Sequence, residues 1–539
     1  MPFTLKHFTN TGIFLLLATF TWPSLADSTC ADLLHLKLSN ADIVLAEHVS
    51  AGIFTAPDGN AYDVPTFCRV HGVARPTGDS EINFEVWLPA ENWNGRYYQN
   101  GIGGFAGRIG YNGLAESIKQ GNAVAATDMG HTEEGASWAL GHPEKIIDYG
   151  YRGLKVTTDH SKLVLSAYYG KPAIYSYFAG CSSGGSQALM VAQRYPEDWD
   201  GILAGAPANF LTLESTMQAE NEVMQWSTPG YDIPHAKLPA IQKAALASCQ
   251  SDAHLIDGVA ADPRFCQFDP ASLLCEEGAD SNACLTSNQV DTLKKIYKGL
   301  VNPDTGELLY PGYEATFEAD LWPNVIIGER RGQTPGYHFG SELLSKMVTD
   351  NPDLDIYSMD IKDVLPQLYK KTVSGKLLRE VLDFDNPDLR KLHDQGGKLI
   401  VYHGWGDGLP TPRGSVHYYQ DVMKLMKSSH DIDSFYRLFM VPGMGHCGYG
   451  PGANAFGQLS ITPGLKNDRE HNVYRALEAW VERGVAPEKI IATKYIDDKP
   501  EKGVSFTRPL CLYPKLPVYD GGGDIKKAKN FSCKLGETL

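Results

Sequence analysis

The stretch Gly180-Cys181-Ser182-Ser183-Gly184 constrains this chain more than any other. A strand-like run, AIYSYFAG, leads into it, and a helix-like run, SQALMVAQRYP, leads out. A G-x-S-x-G turn in that frame places a serine at the end of a strand with its hydroxyl exposed and a helix N-terminus beneath it. The glycines are needed because the turn is tight and the helix packs close to the sheet. Ser183 does not fit the glycine spacing, so Ser182 is the candidate nucleophile. Taken without its flanks, the same pentapeptide would be an ordinary glycine-rich turn.

The frame extends in both directions. INFEVWLP, GNAVAATDMG and WDGILAGAP read as strands, and YRGLKVTTDHSKLVLSAYYG as a helix, so residues 27–215 predict an α/β fold with a mainly parallel sheet. From 216 to 394 the rhythm breaks. Cys249, Cys266, Cys275 and Cys284 crowd together, and helical segments such as TSNQVDTLKKIYKGL and SGKLLREVLDF appear without clear strands between them. This segment is expected to be an inserted, disulfide-rich lid domain. GKLIVYHGWGD then resumes the strand pattern, so 395–539 should complete the sheet.

A serine hydroxyl is a poor nucleophile near neutral pH and needs a base, which in turn needs an orienting carboxylate. In folds of this plan the chain order is Ser, Asp or Glu, His. Asp407 follows a strand in a Gly-flanked loop, and His446 follows FYRLFMVPGMG in another. The chain has 16 histidines, so most are bystanders. His417 and His471 read as surface or packing residues, and His403, in the strand before Asp407, as a neighbour of the site. Cysteine placement selects His446: Cys181 precedes Ser182 and Cys447 follows His446. A bond between them would tie the two loops together and limit how far base and nucleophile drift.

With these residues the chain resembles the tannase and feruloyl esterase family, whose hallmark is a Cys-Ser, Asp, His-Cys arrangement. WNGRYYQNGIGGFAG, AVAATDMGH, KLIVYHGWGD, FMVPGMGHCGYGPG and the tail from RPLCLYP to NFSC carry the likeness over most of the chain. The resemblance implies an α/β-hydrolase core with a lid inserted before the Asp. It also implies the pairings Cys30–Cys68, Cys181–Cys447, Cys249–Cys266, Cys275–Cys284 and Cys511–Cys533. Acyl transfer needs two backbone N–H groups aimed at the developing oxyanion. One is expected from Ser183 and the other from the Gly101-Ile102-Gly103-Gly104 loop, with Gly104 preferred and Gly103 next to it.

The catalytic chemistry requires no cofactor. Family members often hold a structural calcium ion in a lid loop after a cysteine. Here Gln250 and Ala253 stand where that pattern has Asp. Asp257 and the carbonyls of Leu255 and Val259 stay in register, and Asp252 would substitute if the loop shifts. The competing view is that Cys249–Cys266 alone holds the loop.

The resemblance suggests a small ester of an aromatic acid as substrate, a ferulate or gallate, or a terephthalate monoester such as mono(2-hydroxyethyl) terephthalate. Trp405 and Tyr337 are candidate aromatic walls. Arg330 and Arg331 are either carboxylate partners or a solvated basic pair. The terephthalate enzyme carries Glu after its nucleophile where this chain has Ser183, which favours a feruloyl esterase or tannase-like activity. A secreted serine peptidase and a non-catalytic binding protein of the same fold are the rival readings.

Residues 1–26 have the form of a secretory signal: Lys6 and His7, the apolar run Gly12 to Trp22, then Ser24-Leu25-Ala26 before the cleavage point. The run is short for a membrane span, and none is expected elsewhere. All ten cysteines lie beyond Ala26, and an even count in an exported chain favours disulfides, whether in the periplasm or the medium. The formal net charge of -16 repels phosphate backbones and argues against nucleic acid as a partner. Oligomeric state is not legible.

Overall fold

The computed structural model describes residues 29–249, 255–427, 432–458 and 464–536. The proposed signal segment and Asp252 lie outside the described residues. Nine strands form the central sheet: β1 (Ala41–Val49), β2 (Phe67–Ala74), β3 (Ile82–Pro89), β4 (Arg96–Asn100), β5 (Ala123–Thr127), β6 (Tyr175–Cys181), β7 (Gly201–Gly205), β8 (Lys398–Gly404) and β9 (Tyr436–Val441). Their spatial order is β1-β2-β3-β5-β4-β6-β7-β8-β9. The first three and the β3–β5 contact are antiparallel. Every pairing from β5 through β4 to β9 is parallel.

The burial patterns explain this arrangement. AVAAT of β5, GILAG of β7 and YRLFMV of β9 are buried at every position, as parallel strands covered on both faces must be. Within β8, Leu399 and Val401 join one apolar cluster while Ile400 and Tyr402 join another on the opposite face. The edge strand β1 is instead mostly exposed or half-buried, with only Ile43 buried.

The helices that matter for the site are α1 (Gly153–Tyr169), α2 (Ser183–Arg194), α3 (Leu211–Trp226), α4 (Ser287–Lys298), α5 (Pro335–Glu342), α6 (Pro412–Met426) and α7 (Val473–Arg483). The chain leaves the sheet after β7 and returns in β8, its hydrogen-bonded neighbour. The inserted segment therefore rises between two adjacent strands near the β9 edge of the sheet, and its Leu321 reaches over Gly406, next to Asp407. It begins with α3 at Leu211, slightly before the expected boundary at 216. Leu293, Ile296, Trp322, Leu343 and Met347 of the insertion belong to the same apolar cluster as one face of the sheet. The lid is thus packed onto the core through a continuous apolar contact, which favours a fixed relation between lid and sheet.

Ten cysteines form five disulfides: Cys30–Cys68, Cys181–Cys447, Cys249–Cys266, Cys275–Cys284 and Cys511–Cys533. Two pin the lid, one ties the N-terminal turn to β2, and one staples the C-terminal hairpin. Among the described residues no helix is long and apolar enough to cross a membrane.

Candidate active site

Strand β6 ends at Cys181, and α2 starts at Ser183 with no intervening loop. Ser182 bridges them with φ 64° and ψ -127°, a backbone conformation that side chains other than glycine rarely adopt. Its N–H donates to the Gly205 carbonyl at 3.0 Å, tying the elbow to the end of β7. The neighbouring glycines make this possible. A Cβ on Gly185 would lie 2.1 Å from the Gly205 carbonyl oxygen, and one on Gly180 would lie 2.5 Å from the Gly184 backbone. The α2 N-terminus behind Ser182 leaves the first N–H groups of the helix, Ser183's among them, without intrahelical partners.

Asp407 lies three residues beyond β8 and is 2% exposed. Its loop is laced to the loop after β9: Trp405 N–H donates to Val441 O at 3.0 Å and Gly406 N–H to Met444 O at 2.9 Å. That lacing brings His446 Nδ1 to 2.9 Å from Asp407 Oδ2. A ring nitrogen facing a carboxylate is the protonated one, so Nε2 is left as the base. Asp407 Oδ1 accepts from Leu409 N–H at 2.8 Å. Burial pushes the Asp407 carboxyl up, but the charge on His446 and hydrogen bonds from His403 and His446 outweigh it and hold it at about 2. Asp407 is therefore ionised at neutral pH.

The Cys181–Cys447 bond joins the residue before Ser182 to the residue after His446, with Cα atoms 6.0 Å apart. Gln458 steadies the far side by donating from Nε2 to Cys447 O at 3.3 Å and to Asn454 O at 2.6 Å. Among the described residues no hydrogen bond joins Ser182 Oγ to His446. Such contacts commonly tighten only around substrate.

The loop after β4 leans on the elbow. A Cβ on Gly101 would sit 2.6 Å from Gly184 Cα, and Ile102 N–H donates to Gln187 Oε1 of α2 at 3.0 Å. Gly104 has φ +57°, a glycine-favouring value. Gly101, Ile102, Ala106 and Gly107 spend their N–H groups on acceptors within the protein, at 3.0, 3.0, 3.2 and 2.8 Å. Among the described residues no acceptor faces the N–H groups of Gly103, Gly104 or Phe105. The structure thus leaves unpaired the two glycine donors that the sequence singled out, on a loop packed against Gly184 and Gln187 of α2.

Two side chains that sequence reasoning missed stand over these loops. Phe339 of α5 lies 3.3 Å from the position a Cβ on Gly104 would take, and meets Phe105 edge-on at 5.8 Å. Leu321 reaches over Gly406 and Gly445, the residue before His446. Neither has a signal in the lid sequence, where no periodicity marks a face. Of the two proposed aromatic walls, Trp405 needs correction. Trp405 is 2% exposed and covered by the Arg264 guanidinium at 5.1 Å, so it has almost no surface to offer a substrate. Tyr337 is half-buried and stacks on Tyr357 at 5.9 Å. Arg331 lies 3.5 Å over the Tyr357 ring and pairs with Asp355 at 3.0 Å, while Arg330 is exposed.

The calcium expectation meets a different arrangement. Leu255 and Val259 belong to a two-rung ladder, Leu255 opposite Ala260 and Ile256 opposite Val259. Asp257, at its turn, is bound at 2.5 Å by Arg508 from the C-terminal region. A guanidinium therefore occupies the place beside Asp257 that a cation ligand would need, so the described residues do not fit the ion. Among the described residues no group of three or more His, Cys, Asp or Glu converges on a common point.

One buried acid was also missed. Glu214 of α3 is fully enclosed. Burial and the nearby charge of Asp407 raise its carboxyl well above the usual range.

Comparison with known proteins matches residues 68–534 to the family described as tannase and feruloyl esterase. An uncharacterised esterase of Xanthomonas campestris is 44% identical over 94% of this chain and 91% of its own length. A probable feruloyl esterase B-2 of Aspergillus flavus is 31% identical over 88% of this chain and 91% of its own. Among solved structures, feruloyl esterase B from Aspergillus oryzae superposes with a TM-score of 0.83 at 28% identity, covering 93% of this chain and 98% of that one. Tannin acyl hydrolase from Aspergillus niger shares the fold, with a TM-score of 0.73 at 22% identity over 94% and 95%.

Proposed function

This chain belongs to the tannase and feruloyl esterase family, and from that premise we propose that it is an exported serine carboxylic-ester hydrolase acting on esters of aromatic acids. One observation carries the assignment of roles: a single disulfide joins the neighbours of Ser182 and His446, while His446 Nδ1 rests 2.9 Å from a buried, ionised Asp407.

In the reading we favour, His446 Nε2 takes the Ser182 hydroxyl proton as Oγ attacks the ester carbonyl carbon. Asp407 holds the imidazole and stabilises the imidazolium. Negative charge on the former carbonyl oxygen is met by the N–H groups of Ser183 and of Gly104 or Gly103. Collapse of the tetrahedral adduct expels the alcohol oxygen, which receives the proton from His446. Water, deprotonated by the same histidine, then attacks the acyl-enzyme, and the second adduct releases the acid as His446 returns the proton to Ser182 Oγ. Every step uses groups of this chain, and the reading needs no cofactor.

Phe339 and Leu321 supply apolar surface beside the donors and the base, which suits the ring of a hydroxycinnamate or gallate. Arg331 is committed to Tyr357 and Asp355, so it gives no reason to prefer the carboxylate of a terephthalate monoester. Five disulfides fit an oxidising compartment, periplasm or medium. The test is hydrolysis of methyl ferulate, methyl gallate, mono(2-hydroxyethyl) terephthalate and a peptide by wild type and Ser182→Ala. The reading expects turnover of the first two that disappears in the variant. Ester turnover that survives Ser182→Ala removes the central claim, and failure on every ester favours a binding protein.

A further inference from the structure

We propose that Tyr149 and His131 are positioning residues for the oxyanion hole, holding two consecutive carbonyls of the loop so that its unpaired N–H groups face the reacting oxygen. The proposal rests on the assignment of Gly103, Gly104 and Ser183 above.

The starting point is the backbone of residues 101–107. Its N–H groups are paired except at Gly103, Gly104 and Phe105, and its carbonyls show the complementary pattern. Tyr149 Oη donates to Gly104 O at 2.9 Å, and His131 Nε2 donates to Phe105 O at 2.7 Å. A carbonyl can only accept, so the His131 proton sits on Nε2. Its Nδ1 is buried without a partner, and burial depresses the ring to about 4, so the imidazole is neutral at ordinary pH. His131 fixes the Phe105–Ala106 peptide, whose N–H donates to Gly103 O at 3.2 Å and so holds the peptide that carries the Gly104 N–H, while Tyr149 fixes the next peptide, which carries the Phe105 N–H. Gly104 at φ +57° has no side chain to restrict it, and without such anchors its peptides could turn their N–H groups away from Ser182.

Tyr149 is placed for this by a local irregularity. Asp148–Arg152 form a single π-helical turn immediately before α1. Such turns add one residue per turn and redirect side chains, often at functional sites. Here the phenol is turned into the core among Phe105 at 5.8 Å, Trp138 at 5.3 Å and His131 at 6.0 Å. His131 in turn stacks on Trp138 at 4.2 Å. The rings cannot move without leaving this cluster. Tyr149 and Ser183 also line one small cavity. One side chain therefore bonds the glycine loop and borders the same space as Ser183. A purely structural aromatic cluster has no need to aim its two polar atoms at adjacent carbonyls of this loop.

The test uses the full chain. Tyr149→Phe removes one oxygen and keeps the ring. His131→Gln keeps a donor, and His131→Leu does not. Each is assayed for kcat and KM on the best ester of the panel above, for inhibition by phenylboronic acid and for Tm. Phenylboronic acid forms a tetrahedral anion on a catalytic serine and so reports the hole itself. Tyr149→Phe should lower kcat about 10- to 100-fold, the scale of a misplacement near 1 Å, with KM changed by less than about threefold. Phenylboronate affinity should fall by a similar factor, and His131→Gln should keep more of both than His131→Leu. An unchanged kcat, or a Tm loss without loss of boronate affinity, overturns the proposal. If Tyr149→Phe does not fold, the His131 pair decides, and equal losses in the two overturn it. Ser182→Ala that still turns over ester removes the premise, whereas an inactive Ser182→Ala with a normal Tyr149→Phe removes only the clamp.

Discussion

His403 Nε2 lies 3.1 Å from Asp407 Oδ2, the same oxygen that holds His446 Nδ1 at 2.9 Å. Asp407 is thus gripped by two histidines on one oxygen. His403 is wholly buried, four residues back at the end of β8, and its Nε2 also faces Pro410 O at 3.2 Å. Both neighbours are acceptors, so Nε2 carries the proton, and Nδ1 meets Ser415 Oγ of α6 at 2.8 Å. His403→Leu should lower kcat about 10- to 100-fold with KM nearly unchanged, because the carboxylate that orients the base loses an anchor. His403→Gln, which keeps a donor, should recover part of it. Steady-state kinetics on methyl ferulate decide, and a change confined to KM would contradict this role.

The elbow was legible because three signals coincide there: a strand period, a helix period and glycines where a Cβ would strike backbone. The parallel strands around it were legible as unbroken apolar runs. His403 was visible as a neighbour of Asp407, but its grip on the carboxylate depends on the turn at Gly404, which no periodicity encodes. Tyr149 sits in a π-helical turn, and the run read as one helix from Tyr151 starts as regular helix only at Gly153. The antiparallel strands β1 and β2 carried no decisive pattern, since β1 is only half-buried. In the lid, SGKLLREVLDF reads as helix but begins as a rung of a tight ladder closed by Gly375 at φ +79°, and only Leu378–Leu382 are helical. Phe339 and Leu321 were invisible for the same reason: their positions follow from how the lid sits on the sheet.

The Cys181–Cys447 bond should matter to rate as well as to stability. Replacing both cysteines by alanine frees the loops of Ser182 and His446 from each other. The expected loss in kcat is about 100-fold, with about 2–5 kcal/mol of stability. The control is the Cys30→Ala/Cys68→Ala pair, which unties the N-terminal turn far from the site. It should lose stability of the same order while kcat stays within about twofold. Urea unfolding and kcat, measured on both double variants, separate the two effects. Equal kcat losses would mean that the staple acts only through global stability.

Phe339 should govern the acyl side of the substrate. Its ring stands over Gly104 and edge-on to Phe105, so an aromatic acid bound at the donors has to pass beside it. Phe339→Ala removes apolar contact that an aromatic acyl group would use and a small acyl group would not. KM for methyl ferulate should rise about tenfold, a scale set by burying part of one ring, while p-nitrophenyl acetate changes little. Parallel kinetics on the two esters read this directly, and an equal effect on both would place the acyl group elsewhere.

His131 makes a prediction about acid. Burial holds it at about 4 in the folded protein, against 6.5 for the free side chain. Between those values the unfolded chain binds a proton that the folded chain refuses. Stability contributed by this group is therefore complete above pH 6.5, falls as the pH drops, and is exhausted near 4. The full span is about 3 kcal/mol. His131→Gln has no proton to bind, so the stability gap between wild type and variant should shrink as the pH falls from 7 to 4.5. Urea unfolding at both pH values tests it. A gap that stays constant would mean that His131 takes up its proton within the folded protein, and the neutral donor to Phe105 O would then be the wrong description.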